Sequence, residues 1–117
     1  MTRLMNLAKP EWREFFDRLS QALSGEPAEV EVASLDLGDQ IVAEWIPLQG
    51  ITYDTADDLL DVSFDRLTHL IRHPRDIIIE EGPGGVSSVA IALRDGSRQV
   101  IRLKQPVMLR ATTGPAA

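Results

Sequence analysis

The hydrophobic residues repeat with two different periods, and this change of period limits the fold more than any other feature. Over residues 10–24 the large apolar side chains recur at helical spacing, with polar side chains between them. Pro10 suits the first helical position, and Gly25 can adopt the left-handed backbone that ends a helix. After Pro27 the period becomes two, which is typical of half-buried strands. The chain therefore predicts one amphipathic helix followed mostly by antiparallel strands.

Turn signals divide the second part of the chain into short segments. The predicted strands occupy residues 29–37, 40–48, 51–54, 60–65, 77–79, 86–93 and 99–104. Tight turns are expected at residues 38–39 and 95–96, and a bulge at residues 33–34, where the apolar residues change faces. Residues 66–73 carry Leu67, Leu70 and Ile71 at i, i+3 and i+4, which predicts a short helix that Pro74 stops.

These elements define an α+β fold. We expect the N-terminal helix to pack on a strongly bent antiparallel sheet of six or seven strands, a bend that could produce a partial barrel, with the short extra helix beside it. Residues 1–111 are predicted to form a single globular domain, and residues 112–117 a flexible tail. The predicted core residues are Trp12, Phe15, Phe16, Leu19, Trp45, Val62, Phe64, Leu70, Ile78 and Ile91.

Charge is segregated along the chain. Residues 26–65 contain eleven acidic residues and no Lys or Arg, whereas residues 66–117 contain eight basic and four acidic residues. With a net charge of −6 and a pI near 4.8, the protein should repel phosphate backbones and anionic lipid surfaces. Cysteine is absent, which excludes disulfides and thiolate metal sites. We therefore expect a soluble cytoplasmic protein that binds no nucleic acid, no membrane and no cofactor.

Four short segments carry a resemblance to a known family. They are residues 7–16, 34–40, 50–54 and 69–74, which read LAKPEWREFF, SLDLGDQ, GITYD and HLIRHP. These segments resemble those of a family of small bacterial proteins classed as a domain of unknown function. The resemblance covers nearly the whole chain and implies a single bacterial domain, but it brings no activity, cofactor or catalytic residue.

The sequence offers one candidate for a metal site. His69 and His73 are four residues apart, and Asp65 lies one further turn upstream, so a helix would place all three on one face. The zinc-protease motif requires Glu directly after the first His, where this chain has Leu70. Surface or capping histidines are the competing interpretation.

Other motifs also lack their defining residues. The acidic residues 54–61 have neither the central Gly nor the distal Glu of an EF-hand, and Asp54 and Asp57 instead suit turn formation. The Gly-rich residues 82–85 are not followed by the Lys-Ser/Thr pair of a phosphate-binding loop. No catalytic residue is predicted, which argues against an enzyme.

The remaining hypothesis is an interaction surface built on the segregated charges. Its candidate residues are Arg98, Arg102, Lys104, Asp61 and Asp65. The three basic residues share strand parity, so they could pair within the chain, either with these two acids or with the acids at residues 29–31. Alternatively the stripes dock between chains.

We therefore expect a non-enzymatic interaction module that binds a protein partner or itself as a homodimer. The alternative is a small-ligand or metal-binding protein that uses His69, His73 and nearby acids.

Overall fold

The fold is one helix packed on one antiparallel sheet, in a computed structural model that describes residues 2–34 and 36–109. The helix is α1 (Trp12–Leu23), preceded by a 3-10 turn at Lys9–Glu11. The strands are β1 (Arg3–Leu7), β2 (Pro27–Ser34), β3 (Gly38–Asp54), β4 (Leu59–Phe64), β5 (Leu67–Arg72), β6 (Pro74–Gly82), β7 (Gly85–Leu93) and β8 (Arg98–Val107). Their order in the sheet is β1-β6-β7-β8-β2-β3-β4-β5. The predicted tail, residues 112–117, lies outside the described residues.

Helix α1 forms where the 3.6-residue period predicts it. Its buried face carries Trp12, Phe15, Phe16, Leu19 and Leu23, and most of its contacts are with β3. The helix ends where Ser24 and Gly25 both adopt positive φ, 47° and 75°. No helix within the described residues is long and apolar enough to cross a bilayer.

The sheet is open but strongly bent. Its edges are β1 and β5, and each neighbouring pair of strands between them is antiparallel. His69 on the edge strand β5 nevertheless reaches Gln99 on β8, with 2.7 Å between Nε2 and Oε1. The bend therefore brings an edge strand against a central strand, although the pairing of the described strands closes no barrel.

The predicted number of six or seven strands is wrong, because residues 2–34 and 36–109 form a sheet of eight. Residues 40–48 and 51–54 form one continuous strand, β3, whose first part pairs with β2 and whose second part pairs with β4. Strand β1 was not predicted. Its five residues are too short for a clear alternation, and the pairing with β6 stabilises it.

The predicted short helix at residues 66–73 is also wrong, because this segment is strand β5. Phe64 pairs with Leu67 across a two-residue turn in which Arg66 has φ 71°. The apolar spacing fits both a helix and a strand over so few residues, and the pairing with β4 favours the strand. As a result Leu70 faces outward and is 41% exposed.

Seven of the ten predicted core residues are buried, namely Trp12, Phe15, Phe16, Leu19, Val62, Phe64 and Ile91. Leu70 fails for the reason just given, and Trp45 is 40% exposed. Ile78 is only half-buried because its neighbours Ile77 and Ile79 occupy the inward positions of β6.

Candidate functional site

One edge of β3 has a long run of exposed residues. Residues 38–46 pair with β2 on one side, while no described strand pairs with them on the other, because β4 begins its pairing at Leu48. We call this segment the β3 open edge. Four of the eight exposed large hydrophobic side chains among the described residues lie at or beside it: Leu37, Ile41, Val42 and Trp45. An edge that combines unpaired backbone groups with apolar side chains can accept another strand.

Two β-bulges shape the β3 open edge. The register with β2 shifts between Ala28 and Val30 and again between Val30 and Glu31, and each shift adds a residue to β3. Trp45 lies within the first bulge and has a left-handed backbone, with φ 52°. A bulky residue seldom adopts this conformation, and such strained positions cluster at functional sites. The bulge places the indole at the surface, which explains why Trp45 is not in the core.

The equivalent edge of the second part of β3 is covered. Ser20 of α1 accepts a hydrogen bond from the Ile51 N–H at 2.8 Å, and its hydroxyl donates to the Ile51 carbonyl at 2.9 Å. A helix side chain thereby replaces a neighbouring strand there. The fold protects one unpaired stretch of β3 and leaves the other accessible.

Acidic residues dominate the arm formed by β2 and the first part of β3. Arg102 on β8 donates to Glu29 at 3.2 Å and to Glu31 at 2.7 Å, and the bond from Arg102 holds the pKa of Glu31 below its ordinary value. The carboxylate of Glu31 in turn raises the pKa of Asp39. One guanidinium therefore serves several acids, and negative charge remains in excess on the arm.

A second polar cluster centres on Asp58, at the start of β4. The Tyr53 hydroxyl donates to Asp58 Oδ1 at 2.6 Å, and His73, Lys9 and Arg94 lie 3.4, 3.8 and 3.7 Å from its carboxylate oxygens. The bond from Tyr53, with these neighbours, lowers the pKa of Asp58 despite its partial burial. We call these residues the Asp58 cluster.

The structure separates the predicted metal ligands. His69 bonds Gln99, His73 bonds Asp58, and Asp65 lies in the turn between β4 and β5. Residues 2–34 and 36–109 contain no group of three or more His, Asp or Glu side chains that could hold a metal ion. Asp54 has the turn-forming role predicted for it, since its carboxylate accepts from the backbone N–H groups of Ala56 and Asp57.

The predicted surface residues occupy two separate regions. Arg98, Arg102 and Lys104 lie on the outward side of β8, as their parity predicts. Asp61 and Asp65 lie on and after β4, which β2 and β3 separate from β8. Of the three basic residues, Arg102 therefore contacts the acids of β2 instead.

Sequence reasoning missed three residues that the structure makes prominent. Trp45 was assigned to the core, although the consecutive apolar pair Ile41 and Val42 signals that one side chain must point outward. Gln99 was not singled out, although it shares the inward parity of Ile101. Asp58 had no signal of its own, because its partners come from distant parts of the chain.

The fold and these sites define a small α+β domain built on one helix and one bent sheet. The chain belongs to DUF5335, a family of unknown function, whose pattern matches residues 4–112. It is similar to an uncharacterized protein of the bacterium Aquifex aeolicus (strain VF5), with 34% identity over 104 residues, covering 88% of this chain and 94% of that protein. No solved structure matches the chain.

Proposed function

We propose that this protein is a non-enzymatic interaction module of the cytoplasm whose β3 open edge binds an extended segment of a partner protein. The observation that carries the proposal is the accessible edge with Ile41, Val42 and Trp45 beside it, on a strand whose other free stretch is covered by Ser20. Backbone groups of the edge would supply affinity, and the apolar side chains would supply specificity. Trp45 is the residue type that most often dominates such contacts.

The charge of the arm favours a basic and apolar segment. Between Pro27 and Pro47 the chain has five acidic residues and no Lys or Arg. Two arms from two copies would repel each other, and Arg102 offsets this charge only in part. A partner strand that alternates basic and apolar residues is complementary to both the acidic charge of the arm and the apolar side chains of the β3 open edge. We therefore favour a different protein over a second copy.

The test uses a peptide of alternating Lys and Val residues and a matched peptide of alternating Asp and Val residues. We expect the Lys peptide alone to shift the backbone amide NMR signals of residues 38–46 and to slow their hydrogen exchange. Val42→Lys should abolish these effects, because lysine on an edge strand opposes strand addition. Thr52→Lys is the matched control, since Thr52 is an exposed residue of the same strand at a paired position.

Light scattering at low and high salt distinguishes self-association. If the protein forms a dimer and Val42→Lys dissociates it, the occupant of the β3 open edge is a second copy of the chain and not a different protein. Shifts that spread over the whole surface, or that Thr52→Lys removes equally, would refute the β3 open edge as the site.

A further inference from the structure

A depression lies between the end of β5 and the turn that joins β7 to β8. Its volume is about 420 Å³, within the range of small-molecule sites. Leu70 and Leu93 form its apolar side, and Arg72, His73, Arg94 and Gln99 contribute polar groups. We call it the Gln99 depression.

Gln99 is the buried polar group of this site. It is 8% exposed and lies among the inward residues of β8, where an amide is costly unless it is hydrogen-bonded. Its Oε1 is occupied by His69 Nε2 at 2.7 Å, which fixes the orientation of the amide. No residue in 2–34 or 36–109 accepts a hydrogen bond from its Nε2, and this nitrogen is not sealed from solvent. Because Gln99 lines the depression, two N–H donors are available there.

The other polar groups around the depression also favour an anionic ligand. Arg72 and Arg94 line the depression together with one acid, Asp95, and a second acid, Asp58, lies 3.7 Å from Arg94 and 3.4 Å from His73. The Asp95 carboxylate is already occupied, since it accepts from the Ser97 N–H at 2.9 Å and from the Ser97 hydroxyl at 2.6 Å. The two acids offset part of the arginine charge, but no acid within residues 2–34 and 36–109 forms an ion pair with Arg72, and hydrogen-bond donors remain in excess at the depression.

We propose that the Gln99 depression binds a small organic anion, a carboxylate or a phosphate ester with a short apolar chain. Gln99 Nε2 and the guanidinium groups of Arg72 and Arg94 bind the anionic group, and Leu70 and Leu93 contact the chain. His69 acts as a positioning residue, because its bond to Oε1 keeps the amide nitrogen towards the ligand. The proposal keeps the small-ligand alternative from the sequence but changes its chemistry, because the site offers hydrogen-bond donors for an anion and not ligands for a metal.

The test titrates the full chain with inorganic phosphate, hexanoate and hexylammonium while following the side-chain amide NMR signals of Gln99. We expect saturable shifts with the two anions and none with the cation. A tighter response to hexanoate identifies a carboxylate ligand, and a tighter response to phosphate identifies a phosphate ester. Arg94→Gln should weaken binding by about tenfold or more, the effect of losing one charge-assisted hydrogen bond.

Two further variants keep the test decisive. Arg72→Gln should also weaken binding and does not depend on the Asp58 cluster, so it serves if Arg94→Gln disturbs the fold. Arg13→Gln is the matched control, because Arg13 is an exposed arginine of α1 outside the depression. Shifts that do not saturate, or an equal loss in Arg13→Gln, would overturn the proposal by reducing it to general attraction of anions.

Discussion

Tyr53 tests the Asp58 cluster directly because it is the only tyrosine in the chain. Its ring packs edge-on against Trp12, with 5.1 Å between centroids, and its hydroxyl donates to Asp58. Burial, the bond to Asp58 and the charge of that carboxylate raise the pKa of Tyr53 from 10.0 to about 12. The folded protein therefore holds the phenolic proton more tightly than the unfolded chain does.

The direction and size of the effect on stability follow from this shift. A pKa raised by folding stabilises the fold fully below pH 10.0, and this contribution is lost as the pH rises through about 12. The difference between 10.0 and about 12 corresponds to about 3 kcal/mol. We expect Tyr53→Phe to lack this loss at high pH. At neutral pH the variant should have a free energy of unfolding lower by about 1–3 kcal/mol, because Asp58 loses its closest hydrogen-bond donor.

Two measurements check the prediction. The near-ultraviolet absorbance of the phenolate gives the pKa of Tyr53 in the folded protein without any assignment, since no other tyrosine contributes. Urea unfolding of the wild type and Tyr53→Phe at increasing pH gives the difference in free energy of unfolding, and lysine titration cancels in that difference. A folded-state midpoint near 10.0, or the same pH dependence for both proteins, would refute the reasoning.

Three further predictions concern stability. Gly85→Ala should lower the free energy of unfolding by about 3 kcal/mol or more, since φ is 112° and a Cβ there would overlap the backbone of β8. Gly96→Ala is the comparison, because its Cβ meets open space and the loss should be about 1 kcal/mol. The urea midpoints of the two variants show whether they differ. Ser20→Ala should lower the free energy of unfolding by about 2–4 kcal/mol, because it leaves the N–H and the carbonyl of Ile51 without their partner. Hydrogen exchange at the Ile51 amide should accelerate. Arg102→Met should destabilise the protein at neutral pH, and the loss of unfolding free energy should shrink as the pH falls below 4.5. The reason is that folding lowers the pKa of Glu31, so the stabilisation by its ion pair is lost when Glu31 is protonated. A loss that does not change with pH would contradict this ion pair.

Much of the fold could be predicted because it is encoded locally. The face of α1, the end of that helix at Gly25 and the hairpin turn at residues 95–96 each depend on residues close in sequence. Strand β5 could not be predicted in the same way. Its apolar spacing over six residues fits a helix equally well, and only the presence of β4 as a partner decides between them.

The candidate sites were harder to predict because they depend on pairing across the sheet. Trp45 is at the surface because two bulges change the register of β3 opposite Ala28, Val30 and Glu31, whereas the alternation of apolar residues predicts a bulge at residues 33–34, where the register is regular. Gln99 reaches a depression lined by Arg72 only because the sheet bends until β5 approaches β8. Both sites arise where a strand departs from regular geometry.

The segregation of charge along the chain gains a structural meaning from the strand order. Because β2 lies beside β8, Arg102 neutralises part of the acidic half at Glu29 and Glu31. Two other residues of the basic half lie elsewhere, since Arg94 pairs with Asp58 and Arg72 lines the Gln99 depression. Folding therefore leaves an acidic excess on the arm, and at a separate concave site it leaves Arg72 without an acidic partner among residues 2–34 and 36–109. A purely structural role would require all the opposite charges to meet, and we therefore propose the β3 open edge and the Gln99 depression as the surfaces for charged partners.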